Sequence, residues 1–173
     1  TAFKKIMDDW NMRMETSHWE MQKDYEKKEA KAEEIGMKNL ICPNKGQNKS
    51  IENFKKIAEE FKKAGEILKK NGIGFANHNN DYSFKPVNGE IHQDVMMANT
   101  NKELVDFEMD IYWVVAAAAD PEAYFKNYPG RFRLCRLKDL AQTPDCISHV
   151  NIGKATIDLN SILQTGISPG MDH

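Results

Sequence analysis

The sequence predicts an α/β fold organised on a parallel sheet, and three observations carry that prediction. Short apolar runs of strand character alternate with helix-like runs along the 173 residues, the order that gives parallel strands joined by right-handed crossovers. Val105-Asp106-Phe107-Glu108-Met109-Asp110-Ile111 alternates with period two: Val105, Phe107, Met109 and Ile111 share one face, Asp106, Glu108 and Asp110 the other. Ile51, Phe54, Ile57, Phe61, Ala64 and Leu68 recur at helical spacing and mark a single buried stripe. An acidic strand face is foreign to a sheet covered on both sides. It suits the polar rim of a barrel, where carboxylates gather around a metal or a sugar.

The elements follow in order. Ala2 to Asp9 reads as a short amphipathic helix with Phe3, Ile6 and Met7 together, and Met12 to His18 as a strand. Asp24 to Ile35 is a charged helix closed by Gly36, the residue type that best tolerates the left-handed conformation after a helix. Lys38 to Cys42 is a short apolar strand halted by Pro43. Ser50 is a natural N-cap for a helix over Ile51 to Lys70, which Asn71-Gly72 ends. Ile73 to His78 and Leu104 to Ile111 are the next strands, the latter followed by a small-residue loop. Asp120-Pro121 then caps a helix with proline in its first turn. Tyr128-Pro129-Gly130 terminates it, Phe132 to Leu137 forms a fifth strand, and Asp158 to Leu163 opens a last helix.

Composition narrows the class. A hydrophobic content of 40% over this length supports one domain with its own core. The 24 basic and 26 acidic residues leave a net charge of −2, which excludes an electrostatic footprint for nucleic acid. The paired lysines of the long helix are balanced by Glu52, Glu59, Glu60 and Glu66, as on a solvated face. Cys42, Cys135 and Cys146 are isolated and odd in number, so neither a disulfide framework nor a Cys-x-x-Cys metal knuckle is expected. No apolar run reaches membrane-spanning length, and no secretory signal opens the chain, so a cytoplasmic location is expected.

Four blocks carry a resemblance. GIGFANHNNDYSF (Gly72 to Phe84), VDFEMDIYWV, YPGRFRLCRLKDL and IGKATIDLNSIL occur in the order found in the sugar phosphate isomerase/epimerase family, the xylose isomerase-like (β/α)8 barrels. The resemblance covers essentially the whole chain and implies a TIM-type barrel, incomplete here. The single domain over residues 1–173 would begin in the helix after the second strand, supply strands three to seven, and stop before strand eight. A full barrel takes eight strands and about 250 residues. Five strands alone would form an open curved sheet with two raw edges, which invite self-association.

The resemblance also implies chemistry. In such barrels a divalent metal sits at the C-terminal mouth, held by a carboxylate from strand five, an Asp from strand six, a His from strand seven and a Glu from strand eight. The metal polarises a sugar carbonyl and its neighbouring hydroxyl, while an acid/base pair moves a proton through an enediolate. Oxygen donors with one imidazole suit Mn²⁺, Mg²⁺, Co²⁺ or Zn²⁺. Asp110 matches the strand-six Asp and is expected as metal ligand and catalytic group. Trp113 would stack on the sugar ring. The strand-five block keeps His78, Asn79 and Asp81, with Asn80 replacing a second His and Ser83 replacing a Glu. His78 is expected as a ligand or acid/base group, and Asn79 as a substrate contact. In Cys135-Arg136-Leu137-Lys138-Asp139, Arg136 takes the position of the metal-binding His. A guanidinium stays protonated and cannot ligate a cation, but it can bind a carboxylate or phosphate bidentately. Lys138 and Asp139 are kept and would contact substrate, as would His18 of Thr16-Ser17-His18-Trp19.

Ordinary structural roles stand beside these: a hydrogen-bonded Asp110, a packing Trp113, a core His18, a neutral hydrogen-bonded His78, and Lys138 and Asp139 as a salt-bridged pair. Two readings therefore compete. One is a metal-assisted isomerase or epimerase acting on a sugar or sugar phosphate. The other is a degenerate or incomplete barrel that binds a carbohydrate or a partner without turnover. Arg136, Asn80, the absent strand-eight Glu and Lys154, a base in Gly153-Lys154-Ala155 where the resembling loops carry an acid, favour the second, and the kept Asp110, His78, Lys138 and Asp139 the first. The endonuclease IV-like branch of the superfold needs three metals and many His ligands, and this chain is too poor in strand-end His for it.

Overall fold

A computed structural model describes residues 1–20, 25–43, 50–142, 147–166 and 171; Asp24 and Cys146 lie outside the described residues. The elements run α1 (Ala2–Asp9), β1 (Thr16–His18), α2 (Tyr25–Ile35), β2 (Asn39–Cys42), α3 (Ile51–Lys69) and β3 (Gly74–His78). A 3-10 turn at Asp81–Ser83 leads into the small hairpin β4 (Pro86–Val87) and β5 (Glu90–Ile91), followed by α4 (His92–Asn99). Then come β6 (Asp106–Asp110), α5 (Ile111–Ala116), α6 (Pro121–Asn127), β7 (Phe132–Arg136), the hairpin β8 (Asp139–Gln142) and β9 (Ile147–Val150), and α7 (Leu159–Gly166).

Strands β1, β2, β3, β6 and β7 pair in that order, every pair parallel. Five parallel strands laid down in chain order, with helices in the crossovers, form a half-barrel. The register is set by the alternation already visible in β6. Phe107 and Met109 are fully buried beneath the helices with Leu40, Cys42 and Phe75, while Ile41, Ala76 and Leu134 form a separate small cluster. The stripe of α3 is buried as its spacing requires. Each large side chain in it contributes roughly 1.5–3 kcal/mol of burial. The helix lies so close to the segment before β6 that a Cβ at Gly65 would sit 2.1 Å from the Leu104 carbonyl oxygen, so only glycine fits there.

Several boundaries differ from expectation. Pairing of β1 begins only at Thr16, opposite Asn39, and Met12 is exposed. An outer strand with one neighbour extends only as far as that neighbour does. Ile111, expected at the end of a strand, instead opens α5, and the stretch read as a small-residue loop is helical to Ala116. Ile111 continues the apolar alternation of Phe107 and Met109 and so reads as strand, but it is buried together with Val114, and that spacing of three belongs to a helical face. The β4–β5 hairpin turns on Asn88-Gly89, both with positive φ, the pairing that tight two-residue turns demand. No helix among the described residues is long and apolar enough to cross a membrane.

Candidate active site at the strand ends

The acidic face of β6 and the facing ends of β1 and β3 build the site. His78 stands beside Glu108 in the β3–β6 register. The Glu108 Oε2 atom accepts a hydrogen bond from Nδ1 of His78 at 2.7 Å and another from Nε2 of His18 at 2.7 Å. The two rings lie 5.0 Å apart. Burial pushes the Glu108 carboxyl up, but the hydrogen bonds and charge of the two imidazoles outweigh it and hold the group at about 2. Sequence reasoning placed Glu108 on the polar face without giving it a role. The available signal was that it shares the period-two face of Asp110, one layer below.

Asp110 is fully buried. Its Oδ2 accepts from Lys138 Nζ at 2.5 Å and lies 3.8 Å from His78 Nε2, while its Oδ1 has no hydrogen-bond partner among the described residues. Asn79 clamps the Asp110 backbone from both sides: its Nδ2 donates to the Asp110 carbonyl at 3.1 Å, and its Oδ1 accepts from the Asp110 N–H at 2.9 Å. The side chain thereby continues the β3–β6 ladder one step past its last backbone pair, and Asn79, itself 1% exposed, has its amide taken up by the backbone. The Lys138 ammonium is 5.7 Å from the centre of the Trp113 ring and 5.9 Å from that of Tyr112, within cation–π range.

His18, His78, Asn79, Asp110, Trp113 and Lys138 thus come together, with the exposed Arg136 at the rim, opposite Asp110 in the β6–β7 register. Asp139 does not join them. Its two carboxylate oxygens accept from the backbone N–H groups of Leu140, Gly153, Ala155 and Ile157, tying the start of the β8–β9 hairpin to the loop that follows it. These bonds hold its carboxyl below the usual range despite burial. Asp139→Ala is expected to free that loop, raising amide hydrogen exchange at Gly153, Ala155 and Ile157 by about tenfold or more; unchanged exchange would show that the anchor is dispensable. Asn80, in the place of an expected proton-transferring His, donates its amide to the Pro43 carbonyl at 3.5 Å and its N–H to Ser83 Oγ at 3.2 Å.

Among the described residues, two donor sets lie at this mouth, and they suit a divalent metal differently. Around Asp110, Lys138 already holds the coordinating oxygen and Arg136 stands opposite, so a cation there would face two fixed positive charges. Beneath it, His18, His78 and Glu108 offer two imidazole nitrogens and a carboxylate oxygen within 4.8 Å of one another. Two His and one Glu is a common catalytic zinc set. Among the described residues, this triad is a second candidate donor set beside the Asp110 expected from the sequence.

No protein-family model matches the chain, and no curated protein sequence does. Solved structures do. A sugar phosphate isomerase/epimerase from Parabacteroides distasonis ATCC 8503 superposes with a TM-score of 0.78 and 26% identity over 98% of this chain. A second sugar phosphate isomerase/epimerase from that organism gives 0.77 and 24% over 95%. The IOLI protein with a bound zinc atom gives 0.77 and 14% over the whole chain, a likeness of fold alone. The chain spans 66% of the length of the first of these and 70% of the IOLI protein. With its five-stranded half-barrel, the chain has the fold of the xylose isomerase-like TIM barrels, and its structural match is to the sugar phosphate isomerase/epimerase proteins among them.

Proposed function

We propose that this chain carries the proton-transfer half of a sugar or sugar phosphate isomerase or epimerase. The observation that carries the reading is the layered cluster at the strand ends: His18, Glu108 and His78 joined through one carboxylate oxygen, with Asp110 directly above. Asp110 takes the substrate proton. Its Oδ2 is fixed by Lys138, so Oδ1, without a hydrogen-bond partner among the described residues, is the remaining acceptor, which a substrate reaches when the side chains that cover it move, and the Asn79 clamp sets its height. Lys138 is a positive charge held in place beside the reacting atoms, where it stabilises negative charge developing on an enediolate oxygen. Trp113 offers a stacking wall for the sugar. A divalent ion held by His18, His78 and Glu108 would supply Lewis-acid polarisation of the substrate carbonyl.

The reaction leaves a signature that needs no knowledge of the sugar. Wild-type protein incubated with aldoses, ketoses and their phosphates in deuterated water is expected to exchange the hydrogen beside the carbonyl of one of them. Asp110→Asn should slow that exchange roughly a thousandfold. A sugar that binds without any exchange would support the alternative of binding without turnover, a reading favoured by the structural engagement of Asn80.

The metal seat has its own test. Zinc titrated into wild-type protein is expected to bind with a stoichiometry of one, and to stabilise it by about 2.7 kcal/mol at a hundred times the Kd. His78→Ala should abolish both effects. Equal binding by the two proteins would remove the triad as the seat.

A further inference from the structure

We propose that the pocket between β1 and β7 receives an anionic group of the substrate, a carboxylate or a phosphate monoester, on the guanidinium of Arg136. The inference deepens the functional reading above and rests on it for the identity of the ligand as a substrate.

The two outer strands of the sheet line one pocket of about 240 Å³, to which Thr16, Ser17 and His18 contribute from β1, Glu108 from β6 and Arg136 from β7. Strands at opposite ends of a five-strand order meet there only because the sheet curls, and the curl brings Arg136 round to Thr16 and the His18 imidazole of β1. Arg136 is exposed, and among the described residues it makes neither a hydrogen bond nor an ion pair.

The neighbouring carboxylates are already answered. Asp110, its register partner, is held by Lys138 at 2.5 Å, and Glu108 accepts from two imidazoles at 2.7 Å each. The guanidinium is left as the uncompensated charge of the pocket, its planar fork of N–H donors meeting no acceptor among the described residues. That fork matches two oxygens of a carboxylate or phosphate. A neutral sugar hydroxyl would satisfy one donor and leave the charge unanswered. Thr16, on the same face of β1 as His18, adds a hydroxyl donor of the kind that completes an oxyanion's coordination. A ligand with an anionic end on Arg136 would present its remaining carbons to Glu108, His78 and Asp110.

The test is calorimetric titration of the purified protein with inorganic phosphate, glycolate and D-xylose, repeated on Arg136→Gln and Arg136→Lys. Because Arg136 is exposed, both variants should fold, which circular dichroism checks. Phosphate or glycolate should bind wild type, weaken by about tenfold to a hundredfold in Arg136→Gln, and weaken less in Arg136→Lys, which keeps the charge but not the fork. D-xylose binding should be the same in all three proteins. Preference for phosphate assigns a phosphorylated substrate, and preference for glycolate a sugar acid. If both anions bind Arg136→Gln as tightly as wild type, or bind neither protein, the proposal is wrong. Arg136-dependent anion binding in a protein that exchanges no substrate hydrogen would keep this pocket and overturn the isomerase reading. Hydrogen exchange without Arg136-dependent binding would do the reverse.

Discussion

Glu108→Ala is expected to cost the folded state on the order of 3–5 kcal/mol, because it removes the one acceptor shared by two imidazoles in a mostly buried layer. Urea denaturation would measure the loss. Glu59→Ala, which breaks an exposed Glu59–Lys62 pair on α3, is the control and should change stability by no more than about 0.5 kcal/mol. The pH dependence has a definite sign. The folded-state pKa of Glu108, about 2, lies below its ordinary value of 4.5. Its contribution is therefore complete above the ordinary carboxylate range and is lost as the pH falls from 4.5 through about 2. Glu108→Gln, which keeps the shape, should flatten that part of the acid limb. An acid limb identical to that of wild type would mean that Glu108 does not carry the coupling.

Asn79→Leu should combine a large loss of stability with a loss of function. The Asp110 N–H and carbonyl are buried, and both depend on the Asn79 amide. Leaving the two unpaired costs roughly 1–3 kcal/mol each. Asp110 then loses its support, and a displacement of about 1 Å at a reacting group slows catalysis by roughly a hundredfold. Asn79→Asp separates the two effects. Its carboxylate still accepts from the Asp110 N–H but donates nothing to the carbonyl and buries a second negative charge beside Asp110, so stability should stay low while the Asp110 N–H keeps its partner. Denaturation and solvent-hydrogen exchange, measured on the same samples, would show whether recovery of fold and of activity run together. If substrate affinity falls in Asn79→Leu while stability and the exchange rate at saturation hold, Asn79 touches the substrate and does not serve as a clamp.

These two residues show how unevenly the site can be read from the chain. Asp110, His78, His18, Trp113 and Lys138 were all marked by their places in the strand-end blocks, and the structure gathers them. Asn79 and Asp139 lie in the same blocks, yet their side chains are engaged by the backbone: one extends a ladder, the other anchors a hairpin and its return loop. An Asn or Asp at a strand end carries identical letters whether it faces a ligand or a main-chain amide. Glu108 illustrates the opposite case. Its alternation with Asp110 was plain, but its partners were not, since they lie 30 and 90 residues away in the chain.

The sequence by itself determined the elements that local periodicity and local chemistry control. These include the alternation of strands with helices, the apolar and acidic faces of β6, the Ser50 and Asp120 caps and the stripe of α3. Only the tertiary structure decided which charge answers which. Parallel pairing sets neighbouring strands side by side, and the curl of the sheet brings β1 round to β7. These two placements put Lys138 on Asp110, join two imidazoles to Glu108 and leave Arg136 without a counter-ion among the described residues. Periodicity reports which way a side chain points. What it meets there depends on the register and curvature of strands far apart in the chain, and no local pattern encodes either.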